Sequence, residues 1–206
     1  GKVMKRLFRK QRTTSYDPFT YWNSRSNPNN TEGTDAARVA FDTGYIASAV
    51  SDLDPVLELG PGVGRTLGAY ARGRNITALD LSRAYTDQLL LRGSELGLKL
   101  TPLYLSSPMD PFPLADKSFP VGVASQVLMH IPPESVTHSL SELVRVCERV
   151  VVISTYQHGA PTISDAVTHV FNHDYFSMAT DLGCAMHEVI MNEGRICFTL
   201  RPRKRD

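Results

Sequence analysis

A chain of 206 residues, 42% apolar and 21% charged, suits one domain with a full core and holds no run near the roughly 20 apolar residues of a membrane span. Net charge is +1 but uneven: Lys2, Lys5, Arg6, Arg9, Lys10 and Arg12 crowd the start and Arg201, Arg203, Lys204 and Arg205 the end, so the body between is acidic and a globally basic nucleic-acid surface is not indicated. Cys147, Cys184 and Cys197 form neither a disulfide framework nor a zinc set, which points to a reducing cytoplasm.

No long apolar stretch follows the basic start, so no secretory signal is expected. If helical, that start would gather Val3, Met4, Leu7 and Phe8 on one face. A solvated tail is its ordinary reading, and contact with nucleic acid or an anionic membrane the sharper one. Residues 13–34 are rich in turn formers and aromatics and read as a loop or lid carrying Tyr16, Tyr21, Trp22 and Arg25. From Asp35 to Val50 small and apolar residues recur at helical spacing, with Thr34 or Asp35 as cap.

A βα rhythm follows. Pro55–Leu59, Asn75–Asp80, Leu98–Leu105, Val121–Val127 and Val150–Thr155 read as buried strands. Helices are expected over Val63–Arg72, over Arg83–Leu96 with Ser82 as cap and Gly97 as stop, and over Glu134–Glu148. After Thr155 the pattern changes to a short helix near Asp174–Leu182 and two runs, Met186–Asn192 and Arg195–Arg201, joined by Glu193-Gly194 as an antiparallel hairpin. The fold class is α/β: a doubly wound, Rossmann-like, mostly parallel seven-stranded sheet with a C-terminal antiparallel hairpin. Residues 1–34 form a basic segment and aromatic lid, and residues 35–206 a single domain.

The first strand runs into Glu58-Leu59-Gly60-Pro61-Gly62-Val63-Gly64-Arg65. Ligands of such sheets bind beyond the carboxyl ends of the strands, and glycines there permit a tight turn and close approach to the backbone. A dinucleotide site needs G-x-G-x-x-G, and Arg65 stands where its third glycine belongs. Glu58 would repel a pyrophosphate but favour a cationic or zwitterionic ligand. Asp80 ends the second strand about 20 residues on, where a ribose acid is expected, and a carboxylate suits two adjacent hydroxyl donors.

Together these residues resemble the class I S-adenosylmethionine-dependent methyltransferases. Glu58 to Gly64 is similar to their acidic, glycine-rich first motif, Asp80 to their ribose acid, and Ser125-Gln126-Val127-Leu128-Met129-His130 to their fourth-strand exit. Phe112 to Phe119 resembles the segment leading into that strand. The resemblance implies S-adenosyl-L-methionine as cofactor, S-adenosyl-L-homocysteine as product and a small-molecule methyl acceptor. It implies cofactor contacts from Glu58, Gly60, Pro61, Gly62, Asp80, Leu81 and Gln126, from Asp110 after strand three, and from Tyr21 and Arg25 in the lid. His130 is the first candidate for base or orienter, followed by His173 and Tyr175. Two departures stand out: Ser106-Ser107-Pro108-Met109-Asp110 replaces a nearer adenine-binding acid, and strand four opens Phe119-Pro120. His169 and His173, four apart, are too few ligands for a metal site. Two other readings remain open here: a non-catalytic methyltransferase-like binding domain, and a nicotinamide-dependent oxidoreductase.

Overall fold

The computed structural model describes residues 16–25, 35–158, 169–192 and 194–203. The basic start, Lys204 and Arg205 lie outside them.

Helix α1 (Pro18–Asn23) is followed by α2 (Ala36–Val50), strand β1 (Val56–Leu59), β2 (Asn75–Asp80), α3 (Thr86–Glu95), β3 (Lys99–Tyr104), β4 (Val121–Ser125), α4 (Pro133–Val146), β5 (Val150–Thr155), α5 (Tyr175–Asp181), β6 (Cys184–Asn192) and β7 (Arg195–Pro202). The strands make one seven-stranded sheet in the order β3-β2-β1-β4-β5-β7-β6. The first five pair in parallel, and β7 pairs antiparallel with both β5 and β6. Chain order reverses between β1 and β4, which defines the switch point where a doubly wound sheet opens a ligand crevice.

Both faces of the sheet are covered, as parallel pairing requires. Alternate residues serve opposite layers: Val151 and Ile153 pack with Ile46 and Val50 of α2 and Leu89 of α3, while Val150 and Val152 pack with Leu140 and Leu143 of α4 and Tyr175 of α5. Pro120 lies just before β4, where its missing N–H removes no ladder bond.

Three elements depart from the sequence reading. A helix stands inside the expected loop: Asp17 Oδ2 accepts Thr20 N at 2.7 Å and Pro18 occupies the first turn, so α1 carries a start signal of its own. The helix expected over Val63–Arg72 is a run of turns with one 3₁₀ turn at Leu67–Ala69. Gly64, at φ +79, lies outside helical space, and Gly64, Leu67 and Ala69 bond three residues back rather than four. Helix α3 begins at Thr86, and Ser82 does not cap it. The Ser82 hydroxyl accepts Ala84 N at 3.1 Å and donates to Trp22 O at 3.0 Å, tying α1 to the end of β2. The caps of α2 and α5 are Asp35 and Asp174, which accept Ala37 N and Ser177 N.

Candidate active site

The switch point opens into a cavity of about 380 Å³, of a size ordinary for small-ligand sites. The loop after β1 forms its floor with Gly60, Pro61, Gly62 and Val63. Gly60 has φ +62, and a Cβ there would sit 2.3 Å from Val127 Cγ2, so no side chain fits between the loop and the β4 exit. Gly62 has φ +55 and nothing within 4 Å of an added Cβ, which leaves its backbone accessible.

Two carboxylates line the cavity. Asp80 accepts Ser82 N at 3.0 Å and Gly62 N at 3.3 Å, which fixes it at the end of β2 with the glycine loop beside it. Burial pushes its pKa up, against the pull of those amide bonds. Glu58, 1% exposed, accepts the Tyr70 hydroxyl at 2.8 Å and the Thr66 hydroxyl at 3.3 Å. Burial raises its pKa from 4.5 to about 7, despite both hydrogen bonds.

Gln126 lines the cavity at φ +58, a conformation non-glycine residues seldom adopt. Its N–H bonds Ile153 O at 2.8 Å, and its side-chain amide reaches Asp42 of α2 at 3.3 Å. The neighbouring Ser125 hydroxyl is buried without a hydrogen-bond partner among the described residues. Arg65, the residue in the third-glycine position, also lines the cavity, as do Arg25 and Arg38.

Pro18, Trp22 and Arg25 form the lid side. Asn23 of α1 donates to Leu81 O at 2.8 Å and accepts Arg83 N at 3.0 Å, and Tyr16 Oη donates to His130 O at 2.7 Å. Trp22 meets His130 edge-on at 5.0 Å between ring centroids, and His130 stacks on His169 at 5.3 Å. His130 Nδ1 lies 2.8 Å from His169 O. Burial lowers the His130 pKa to about 4, with Arg25 and Arg65 acting in the same direction.

The cavity therefore brings together Glu58, Gly60, Pro61, Gly62, Asp80, Leu81, Gln126, Arg25 and His130 from the sequence reading. Four expected residues lie elsewhere. Asp110 spends one oxygen on Ser106 N at 2.8 Å and Ser107 N at 2.9 Å, closing its own loop, while Leu105 and Pro108 face the cavity instead. Tyr21 stacks on His169 at 4.7 Å behind the lining and carries the Arg25 guanidinium on its ring and hydroxyl. His173 is buried, its Nε2 3.0 Å from both Leu128 O and Ile131 O. Tyr175 is fully buried in the core, hydroxyl to hydroxyl with Ser154 at 2.6 Å. His169 and His173 do not share a helix face, because residues 169–174 are not helical.

Asp42 escaped the sequence reading, which named Arg65 and His169 without a place in the cavity. Asp42 and His169 reach the site through tertiary packing, without a local motif. Arg65 had a signal, since a guanidinium instead of a third glycine beside a ligand loop is a charge that needs an anion. Among the described residues, no three potential metal ligands gather, and no helix is long and apolar enough to cross a membrane.

A family model described as a methyltransferase domain matches residues 57–153, which include the glycine loop, Asp80 and His130. No curated protein sequence matches significantly. Among solved structures, 1,6-didemethyltoxoflavin-N1-methyltransferase of Burkholderia thailandensis is similar at a TM-score of 0.69 and 14% identity, over 90% of this chain and 87% of that one. Magnesium protoporphyrin IX methyltransferase of Synechocystis PCC 6803 is similar at a TM-score of 0.63 and 17% identity, over 91% and 98%. The cyclase SpnF is similar at 0.63 and 15%, over 79% and 80%. At these identities the structural likeness establishes the fold, and the family match covers the segment that carries the site. Residues 57–153 thus match a methyltransferase domain, and the chain as a whole has the fold of these similar structures.

Proposed function

We propose that this protein transfers a methyl group from S-adenosylmethionine to a small-molecule acceptor bound between α1 and the exit of β4. The observation that carries this reading is the convergence of Asp80, the Gly60–Gly62 loop, Glu58 and Gln126 on one cavity beside the switch point. The donors present fit an adenosyl amino acid. Asp80 offers acceptors to two ribose hydroxyls, Leu81 and Leu105 offer apolar surface to the adenine, and Arg65 and Arg25 are cations for a carboxylate. The absent third glycine argues against a dinucleotide.

When bound, the cofactor supplies a methyl group already activated by a positively charged sulfur. The chain then has to align and to exclude water. Alignment of reactants alone is worth about 7–11 kcal/mol. Trp22 and Pro18 close the cavity over the β4 exit. His130 Nε2 holds the proton side of the acceptor, so that its nucleophilic atom faces the methyl group. The three buried, unpaired cysteines suit a reducing cytoplasm.

Calorimetric titration with S-adenosylmethionine, S-adenosylhomocysteine and NAD tests the cofactor, and a methyl-transfer screen on metabolite pools tests the acceptor. Binding of both sulfur nucleosides without NAD is expected. NAD binding alone would overturn the reading, and sulfur-nucleoside binding without turnover on any pool would leave a non-catalytic binding domain.

A further inference from the structure

Asp42 lies in the middle of α2, 3% exposed, and no sequence motif marks it. One of its oxygens pairs with the Arg195 guanidinium of β7, and the other lies 3.3 Å from Gln126 Nε2. A carboxylate ion-paired to arginine only accepts hydrogen bonds, so the Gln126 amide must turn its NH₂ toward Asp42. Its carbonyl oxygen is then left for the cavity that Gln126 lines. Beside it stands the orphan Ser125 hydroxyl, and a buried polar group without a partner is costly unless a ligand supplies one. An acceptor oxygen and an uncommitted hydroxyl, with Glu58 in the same cavity, make a receptor for a group rich in N–H donors.

We propose that Asp42, anchored by Arg195, is a positioning residue that holds Gln126 so that Gln126 and Ser125 grip the ammonium group of the cofactor's amino acid. The inference rests on the cofactor reading above and assigns residues of α2 and β7 to it. Gln126 has a left-handed backbone at φ +58. That conformation lies at the strand exit from which its side chain reaches both Asp42 and the cavity.

The test compares S-adenosylhomocysteine with 5′-methylthioadenosine, which keeps the adenosine and thioether but lacks the amino acid. Calorimetry on the wild type, Asp42→Asn, Gln126→Asn and the double variant reads out the role without turnover. Asparagine tolerates the left-handed backbone at position 126 and is too short to bridge, so that variant folds even if loss of the buried pair prevents Asp42→Asn from folding. The expected result is a loss of about tenfold or more in S-adenosylhomocysteine affinity in each variant. Methylthioadenosine affinity stays within about twofold, and where the double variant folds it loses little beyond either single one. Parallel loss for both ligands, or full retention of S-adenosylhomocysteine binding, overturns the proposal while leaving the cofactor reading intact. A wild-type protein that binds neither ligand overturns the cofactor reading and this inference with it.

Discussion

His130 donates its Nδ1 proton to the backbone oxygen of His169 across 2.8 Å, and that bond decides what the other ring nitrogen does. A carbonyl only accepts, so the proton is on Nδ1 and Nε2 keeps its lone pair. With a pKa lowered to about 4 by burial, the ring is neutral at physiological pH and orients a donor better than it stores a proton. His130→Ala is therefore expected to lower kcat by roughly tenfold to a hundredfold while S-adenosylhomocysteine affinity is kept. Steady-state kinetics with titration checks it, and an unchanged kcat removes the role. The kcat profile is also expected to show no histidine ionisation between about pH 6 and 8.

Asp80 has both oxygens engaged by backbone amides, yet it still lines the cavity and can accept two more hydrogen bonds. Asp80→Ala removes charged acceptors worth about 1.5–3 kcal/mol per bond. S-adenosylhomocysteine affinity is expected to fall by at least about a hundredfold, with the circular dichroism spectrum unchanged. Normal binding by that variant would remove the ribose role.

The strands and the glycine loop were legible because they rest on local rules: apolar runs of strand length, glycines where φ is positive, and an acid at a fixed interval. The seven strands and the antiparallel hairpin stand where the pattern puts them, and of the two caps offered for α2 the structure uses Asp35. Where local rules competed, the reading failed. Ser82 looks like a helix cap, but a tertiary contact with Trp22 O takes its hydroxyl. Apolar spacing after Gly64 looks helical, but one left-handed glycine outweighs it. Histidine and tyrosine patterns carry no depth information, so Tyr175 in the core and His130 at the cavity read alike.

Glu58 ties folding to pH. Its folded pKa, about 7, lies above its ordinary 4.5, so between those values the folded chain holds the proton more tightly than the unfolded one. Stability from this group is full below pH 4.5 and is lost as pH rises toward 7, by up to about 3 kcal/mol. Glu58→Gln keeps an acceptor for Tyr70 without the buried charge. Denaturant titrations are expected to show it stabilised relative to wild type at pH 8 and near equal at pH 4.5. Equal differences at both pH values would place the ionisation elsewhere. Because ionised Glu58 favours a cationic ligand, cofactor binding near pH 7 should also release part of a proton, visible as a buffer-dependent heat in calorimetry.

His173 and Tyr175 separate support from chemistry. The two carbonyls facing His173 Nε2 belong to Leu128 and Ile131, the residues that bracket the turn carrying His130. Its ring N–H therefore fastens the turn from beneath, and His173→Ala leaves both buried oxygens without that donor at a cost of about 1–3 kcal/mol. The turn would loosen, so kcat falls along with stability. Among the described residues Tyr175 Oη bonds Ser154 Oγ, and neither residue lines the cavity; Tyr175→Phe strands one buried hydroxyl at a similar cost. Its kcat at a temperature where both proteins are folded is expected to match wild type. Thermal melts beside kinetics on both variants decide this. A Tyr175→Phe enzyme that melts normally but has lost its rate would return that hydroxyl to the reaction.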